Sequence, residues 1–257
     1  MSTIRTWLIA FALGLLSWVP SVAFAQGTTP KAASTTVNPR IPRLADIAGV
    51  GDPTLVADLR KGGYVIFFRH AATNWSERDR MGMDFENRAL QRNLSEAGKA
   101  DAAGIGEAFK ALAIPIGSVF ASPMWRCRDT AQIAFGLYQT KIELFGKVPE
   151  FQGGGLTAAS DRAGYRATRL KMLSTAPSAG ANRVLVGQQD PMIPIIPGLH
   201  RDELREGDAL VIHPLGGGNF KIVSQITPAD WMRLAAAYPA AKSATSDTPP
   251  AATKSSK

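Results

Sequence analysis

A chain of 257 residues, 45% of them hydrophobic, has room for one domain of ordinary size with tails and enough apolar content for a sizeable core. The formal net charge is +8, but Arg5 lies in an N-terminal leader and Lys242, Lys254 and Lys257 outweigh Asp247 in the tail, so the remainder is only mildly basic and has no dense Lys/Arg block with interleaved aromatics. This argues against a nucleic-acid partner and for a small anionic one, while the single cysteine, Cys127, excludes an intrachain disulfide and reads as a small buried hydrophobe.

The leader has the layout of a secretory signal. Arg5 supplies the positive start, Trp7 to Val19 the apolar stretch, Pro20 a break, and Ala23-Phe24-Ala25 a small-x-small site before Gln26. The apolar stretch is too short to cross ~30 Å of hydrocarbon at about 1.5 Å per residue. Residues 1–25 are therefore expected to be removed after Ala25, giving a periplasmic or secreted protein with no membrane attachment after cleavage. Residues 26–43, rich in Thr, Ala, Ser, Pro and Gly, read as a linker, 44–240 as the folded domain, and 241–257, with Pro249-Pro250, as a disordered tail.

Within the domain, helix and strand patterns alternate. Asp52-Pro53 resembles an N-cap followed by Pro at the first helical position, and Gly62-Gly63 ends that helix. Tyr64 to Phe68, "YVIFF", is a continuous apolar run, as in a strand covered on both faces. Ser95 is placed to cap a helix with Ile105, Phe109 and Leu112 on one face. Ser118 to Ala121 reads as a second strand, after which Ser122 and Pro123 look like the N-cap and first residue of a helix reaching about Tyr138. Arg183 to Gly187 is a third strand. Asp208 to His213 and Asn219 to Ile226 form a hairpin around Gly216-Gly217-Gly218, and Pro228 to Tyr238 closes with a helix. The pattern predicts an α/β three-layer sandwich: a mainly parallel central sheet flanked by helices, with an antiparallel edge hairpin near the C-terminus. Ligands of such sheets bind beyond the carboxyl ends of the strands.

Polar residues gather at three of those ends. The first strand runs into Arg69-His70-Ala71-Ala72-Thr73. An imidazole there can be a base, a metal ligand or a nucleophile, although a lone histidine is more often structural. The second strand runs into Ser122-Pro123-Met124-Trp125-Arg126, with Thr130 four residues further on the same helix face. A helix N-terminus beside an arginine suits a phosphate group. The third ends in Gly187-Gln188-Gln189-Asp190.

Taken together, "FFRHAAT", "QRNLSEAGKADAAGIGEAF" and "VFASPMWRCRDTAQIAFG" resemble the histidine phosphatase superfamily, also called phosphoglycerate mutase-like, over roughly Gly63 to Trp231. Ala71 stands where that family usually has glycine. The resemblance implies hydrolysis of a small phosphorylated molecule, with His70 attacking phosphorus to give a phosphohistidine. Arg69 and Arg126 would hold the phosphoryl oxygens, and no metal or cofactor would be needed. Thr73 and Asn74 follow in the loop, placed to touch phosphate or to shape the loop. A carboxyl acid must protonate the leaving oxygen. Glu150 in "VPEFQGG" is the candidate from one branch of the family, Glu143 a weaker choice, and Asp190 the nearest match to the acid of another branch.

The family's second histidine is expected at the end of the third strand, where this chain has Gln188; a slip of one residue would set Gln189-Asp190 there instead. Neither register supplies a histidine, and His200 and His213 lie outside the motif. Gln188 can donate a hydrogen bond to phosphate but carries no charge. The expectation is retained phosphate binding with impaired turnover, or a non-catalytic phosphate-binding module on the same fold.

Overall fold

The computed structural model describes residues 53–80, 84–145, 160–201 and 203–240, all within the unit Asn38–Lys257. The expected signal peptide, linker and tail, and Glu150, lie outside the described residues.

Six strands form one mixed sheet in the order β3-β2-β4-β1-β5-β6. They are β1 (Val65–Arg69), β2 (Ile116–Ala121), β3 (Gln139–Thr140), β4 (Asn182–Gly187), β5 (Ala209–Gly216) and β6 (Asn219–Ile226). The pairs β1–β4, β2–β4 and β2–β3 are parallel, whereas β5 pairs antiparallel with both β1 and β6. Each strand sends alternate residues to opposite faces. Ile66, Phe68, Val184 and Val186 pack against α1 (Pro53–Lys61), α2 (Glu96–Ala111), α3 (Trp125–Phe135) and α5 (Pro228–Ala237) through Leu59, Ile105, Phe109, Ala131 and Trp231. Val65, Phe67 and Leu185 pack the other way, against Leu173 of α4 (Ser160–Ser174) and Met192, Ile196, Leu199 and Leu204 of the stretch before β5. This is the expected three-layer sandwich. Covering both faces explains why β1 and β4 read as unbroken apolar runs.

The local signals are met at most helix ends. Ser95 caps α2 by accepting from Gly98 N, and Thr227 and Asp230 form a reciprocal capping box on α5. The start of α3 differs from the sequence expectation. Its N-cap is Met124, with no side-chain cap bond, so Ser122 and Pro123 precede the helix. The reason is that Ser122 still belongs to the sheet edge: its N–H donates to Val186 O at 2.8 Å, and Pro123 holds the residue before it out of the helical region. Gly136, at φ 74°, ends α3 at Phe135 rather than near Tyr138. Helix α4 and the two-residue strand β3 carry no expectation from the sequence.

Because β1, β2 and β4 are parallel, their carboxyl ends share one edge of the sheet. Antiparallel β5 begins at that same edge, with Ala209 opposite Phe68. Four chain segments therefore converge there: those after β1, β2 and β4, and the one entering β5.

Candidate active site

His70 follows β1 directly, and its backbone is held on both sides. Its N–H donates to Gly187 O at 3.0 Å, and its carbonyl accepts from Gly207 N at 2.8 Å. The imidazole is buried, and Nδ1 lies 2.9 Å from Ala71 O. A carbonyl can only accept, so Nδ1 carries the proton and Nε2 keeps the lone pair. Burial, and next the charge of Arg126, with further contributions from Arg69 and Arg92, hold the ring well below the usual histidine range; only the Ala71 hydrogen bond opposes them. The side chain is thus a neutral imidazole with its Nε2 free of hydrogen, set among cations.

Two contacts fix the loop that follows. Ala71 N donates to Thr130 Oγ1 at 3.0 Å, and that hydroxyl donates to Arg126 O at 2.7 Å, linking the loop after His70 to α3. Ala72 O accepts from both Ser95 N and Ser95 Oγ. A side chain at Gly98 would place its Cβ 1.9 Å from Ala72 O, so the close approach of α2 to this loop requires glycine there. Ala71 has no positive φ, and alanine fits where the family usually has glycine.

Three arginines surround the imidazole. Arg69 donates through Nη1 to Leu204 O at 2.7 Å and to Gln189 Oε1 at 3.0 Å, and pairs with Glu206 at 3.6 Å. Arg126 is buried and donates to Asp79 Oδ1 at 2.9 Å and to Arg92 O at 3.3 Å. Arg92 pairs with Glu206 at 3.3 Å, and its guanidinium lies 3.9 Å from the centre of the Trp75 ring. Burial lowers the Arg92 pKa; Glu206 and Asp79 oppose this, while the Arg126 and Arg69 charges add to it. Three guanidiniums, that of Arg126 buried and those of Arg69 and Arg92 partly so, stand with two carboxylates, a surplus of positive charge suited to an oxyanion.

Glu206 also organises the loop. Its carboxylate accepts from Thr73 N at 2.9 Å and from Thr73 Oγ1 at 3.0 Å. The Thr73 hydroxyl, a phosphate-binding candidate from the sequence, is engaged with this carboxylate. Asn74 shapes the loop, accepting from Ser76 N and Ser76 Oγ and donating to Glu77.

At the end of β4, Gly187 stands opposite Arg69. Gln189 is the amide that touches Arg69, and its Nε2 donates to His200 O. Gln188 lies beside Cys127, and its Nε2 is buried without a hydrogen-bond partner. Arg126 Nε and Ser122 Oγ are likewise buried and unpartnered. Burial pushes the Cys127 thiol up to about 12, so it is an inert packing residue. His213 is exposed and stacks near Tyr64 with ring centres 5.3 Å apart, at the far end of β1 from His70. His200 is exposed beside Glu203. Asp190 is exposed and pairs with Arg201 at 3.7 Å. Glu143 lies in a short turn after β3, where its carbonyl accepts from Arg169.

The structure thus brings together Arg69, His70, Thr73 and Arg126 of the sequence candidates. It adds Arg92, Glu206 and Asp79, which sequence reasoning missed, and Gln189, which the sequence offered only as the alternative register at the end of β4. Among the described residues, no three His, Cys, Asp or Glu side chains cluster so as to hold a metal ion, and no helix is long and apolar enough to cross a membrane.

No curated protein matches the chain. Among solved structures it is similar to the protein histidine phosphatase SixA complexed with tungstate, at 13% identity and a TM-score of 0.44, over 65% of this chain and 98% of that one. It is also similar to a phosphoserine phosphatase mutant from Entamoeba histolytica in complex with phosphoserine, at 14% identity and a TM-score of 0.43, over 65% of this chain and 98% of that one. The family model for branch 1 of the histidine phosphatase superfamily matches residues 65–180, the segment that runs from β1 through α4 and carries Arg69, His70, Arg92 and Arg126. Over that segment the chain matches the histidine phosphatase superfamily, which supports a function of the phosphatase type.

Proposed function

We propose that the protein is an exported phosphomonoesterase that works through a phosphohistidine on His70, with turnover limited by Gln188. One observation carries this reading: a neutral, buried imidazole, its Nε2 lone pair available, stands among three guanidiniums. In the proposed reaction Nε2 attacks phosphorus in line as the ester P–O bond breaks. The leaving oxygen takes a proton from a carboxyl acid, for which Glu150 is the candidate. Water then attacks the phosphohistidine, releasing inorganic phosphate and restoring the lone pair. Arg69, Arg92 and Arg126 offset the charge of the phosphoryl oxygens, so that positioning and electrostatics do most of the work.

Gln188 sets the limit. Losing one preorganised donor costs ~10²–10³ in rate, and a neutral amide in place of a charged imidazole costs less than that. The unpartnered Nε2 of Gln188 favours a second reading, a binding module in which phosphate satisfies buried donors without turnover. Hydrolysis of an aryl phosphate by purified protein separates the two. The phosphatase reading expects slow turnover that His70→Ala abolishes and Gln188→His increases. Equal rates in wild type and His70→Ala would reject it, and a thermal shift with inorganic phosphate but no turnover would select the binding module. Export after Ala25 is part of the proposal; a periplasmic or secreted chain beginning at Gln26 is expected on N-terminal sequencing.

A further inference from the structure

The bonded set beside His70 has a definite charge balance. Its cations are Arg69, Arg92 and Arg126. Its anions are Glu206, which pairs with Arg69 at 3.6 Å and with Arg92 at 3.3 Å, and Asp79, which pairs with Arg126 at 2.9 Å. The side chains of Glu206 and the three arginines are each less than a fifth exposed, and that of Asp79 is 31% exposed, so water screens these charges only in part. His70 is neutral, and Gln188 brings a buried amide donor without a charge. The buried carboxyl of Asp208, two residues beyond Glu206, accepts from Arg205 N and Gln225 Nε2 and adds no positive charge. Three positive charges against two negative ones leave a surplus of one.

We propose that the site is matched to a singly charged tetrahedral oxyanion, and takes a phosphate monoester in its hydrogen-phosphate form rather than as the dianion. The inference rests on the phosphate-site reading above. Attraction to a fixed surplus of charge grows in proportion to the charge of the ligand, whereas the cost of stripping its water grows as the square. A monoanion cancels the surplus; a dianion leaves one negative charge uncompensated among partly buried groups. A cation at position 188 would raise the surplus to two, the balance a dianion needs, and Gln188 does not supply it. The second pKa of a phosphate monoester lies near 6, so the singly charged form is about a tenth of the total at neutral pH.

Perchlorate and sulfate are both tetrahedral and of similar size, differ by one charge and carry no proton at neutral pH, so titration calorimetry with each reads the preference apart from turnover. Wild-type protein should bind perchlorate about tenfold more tightly than sulfate. Asp79→Asn keeps an oxygen acceptor for Arg126 Nη1 and Arg92 N while removing one negative charge, and should move the ratio about tenfold towards sulfate, because an added positive charge acts twice on a dianion. Tighter binding of sulfate by wild-type protein would overturn the proposal. So would an unchanged ratio in Asp79→Asn, or perchlorate binding that survives Arg126→Gln. If neither anion binds wild-type protein, the phosphate-site reading itself fails. Thermal melting of both variants establishes that they fold.

Discussion

The hydroxyl of Thr130 joins the loop after His70 to the helix that carries Arg126, and its removal has a size that follows from its contacts. It accepts the Ala71 N–H at 3.0 Å and donates to Arg126 O at 2.7 Å, with Thr130 and Ala71 both buried. Thr130→Val keeps the shape and removes both bonds. Arg126 O remains inside the ladder of α3, so its loss is minor. Ala71 N–H is left buried without an acceptor, which costs about 1–3 kcal/mol. The expected loss in urea unfolding is therefore about 2 kcal/mol. Hydrolysis of an aryl phosphate should fall roughly tenfold or more, because a misplacement of about 1 Å can cost ~10²-fold. Thr130→Ser keeps the hydroxyl and loses one methyl, for which ~0.8 kcal/mol is expected, with activity near wild type. If Val and Ser at this position lose the same stability, the hydroxyl is not the link described, and the reasoning fails.

Two further outcomes follow from the charges around His70. The pKa of the folded imidazole is depressed, so in the unfolded chain it takes up a proton first. Its contribution to stability is complete above the ordinary value of 6.5 and is lost as pH falls below it towards the folded value. The melting temperature should drop between about pH 6.5 and pH 5, less steeply in His70→Gln, and the ring should remain neutral by NMR through pH 6.5; a ring that titrates at its ordinary value would contradict the burial and charge argument. Glu206→Gln removes the carboxylate shared by Arg69, Arg92 and Thr73, and should cost about 3 kcal/mol in chemical unfolding. Added inorganic phosphate should raise the melting temperature of that variant more than that of wild type, because the ligand replaces a missing negative charge; equal stability of the two proteins would show that Glu206 holds neither arginine.

The sheet was legible because two of its strands are buried on both faces, and "YVIFF" and "VLVG" show this as unbroken apolar runs. The hairpin was legible from its glycines, since Gly216, Gly217 and Gly218 all take positive φ. The start of α3 was misread because Ser122-Pro123 has the composition of a helix N-terminus while the Ser122 N–H is still paired to β4. Composition reports what a residue can cap; it does not report whether its backbone is already committed to a neighbouring strand. Helix α4 escaped because it places few apolar side chains in the core, Leu173 chief among them, on a strongly basic stretch.

The site was legible where its residues sit at strand ends, as Arg69, His70 and Arg126 do, and obscure where topology alone brings them in. Arg92 lies in a polar loop three residues before the cap of α2, and nothing local marks it. Glu206 had a usable cue. A strand that pairs antiparallel with β1 must begin where β1 ends, so the residues just before β5 have to reach the edge that carries His70. The same reasoning refines the end of β4. Two amides arrive there, and the register gives them different tasks: Gln189 holds Arg69 and the His200 carbonyl, while Gln188 keeps a buried N–H₂ with no acceptor. Leaving such a group unpaired costs about 1–3 kcal/mol, and the proposed function makes a phosphoryl oxygen its acceptor. In the proposed reading, the polar balance at this position favours binding an anion, and the missing positive charge acts against turning it over. Gln188→His changes the second of these while keeping a donor for the first, and so separates a slow enzyme from a binding module.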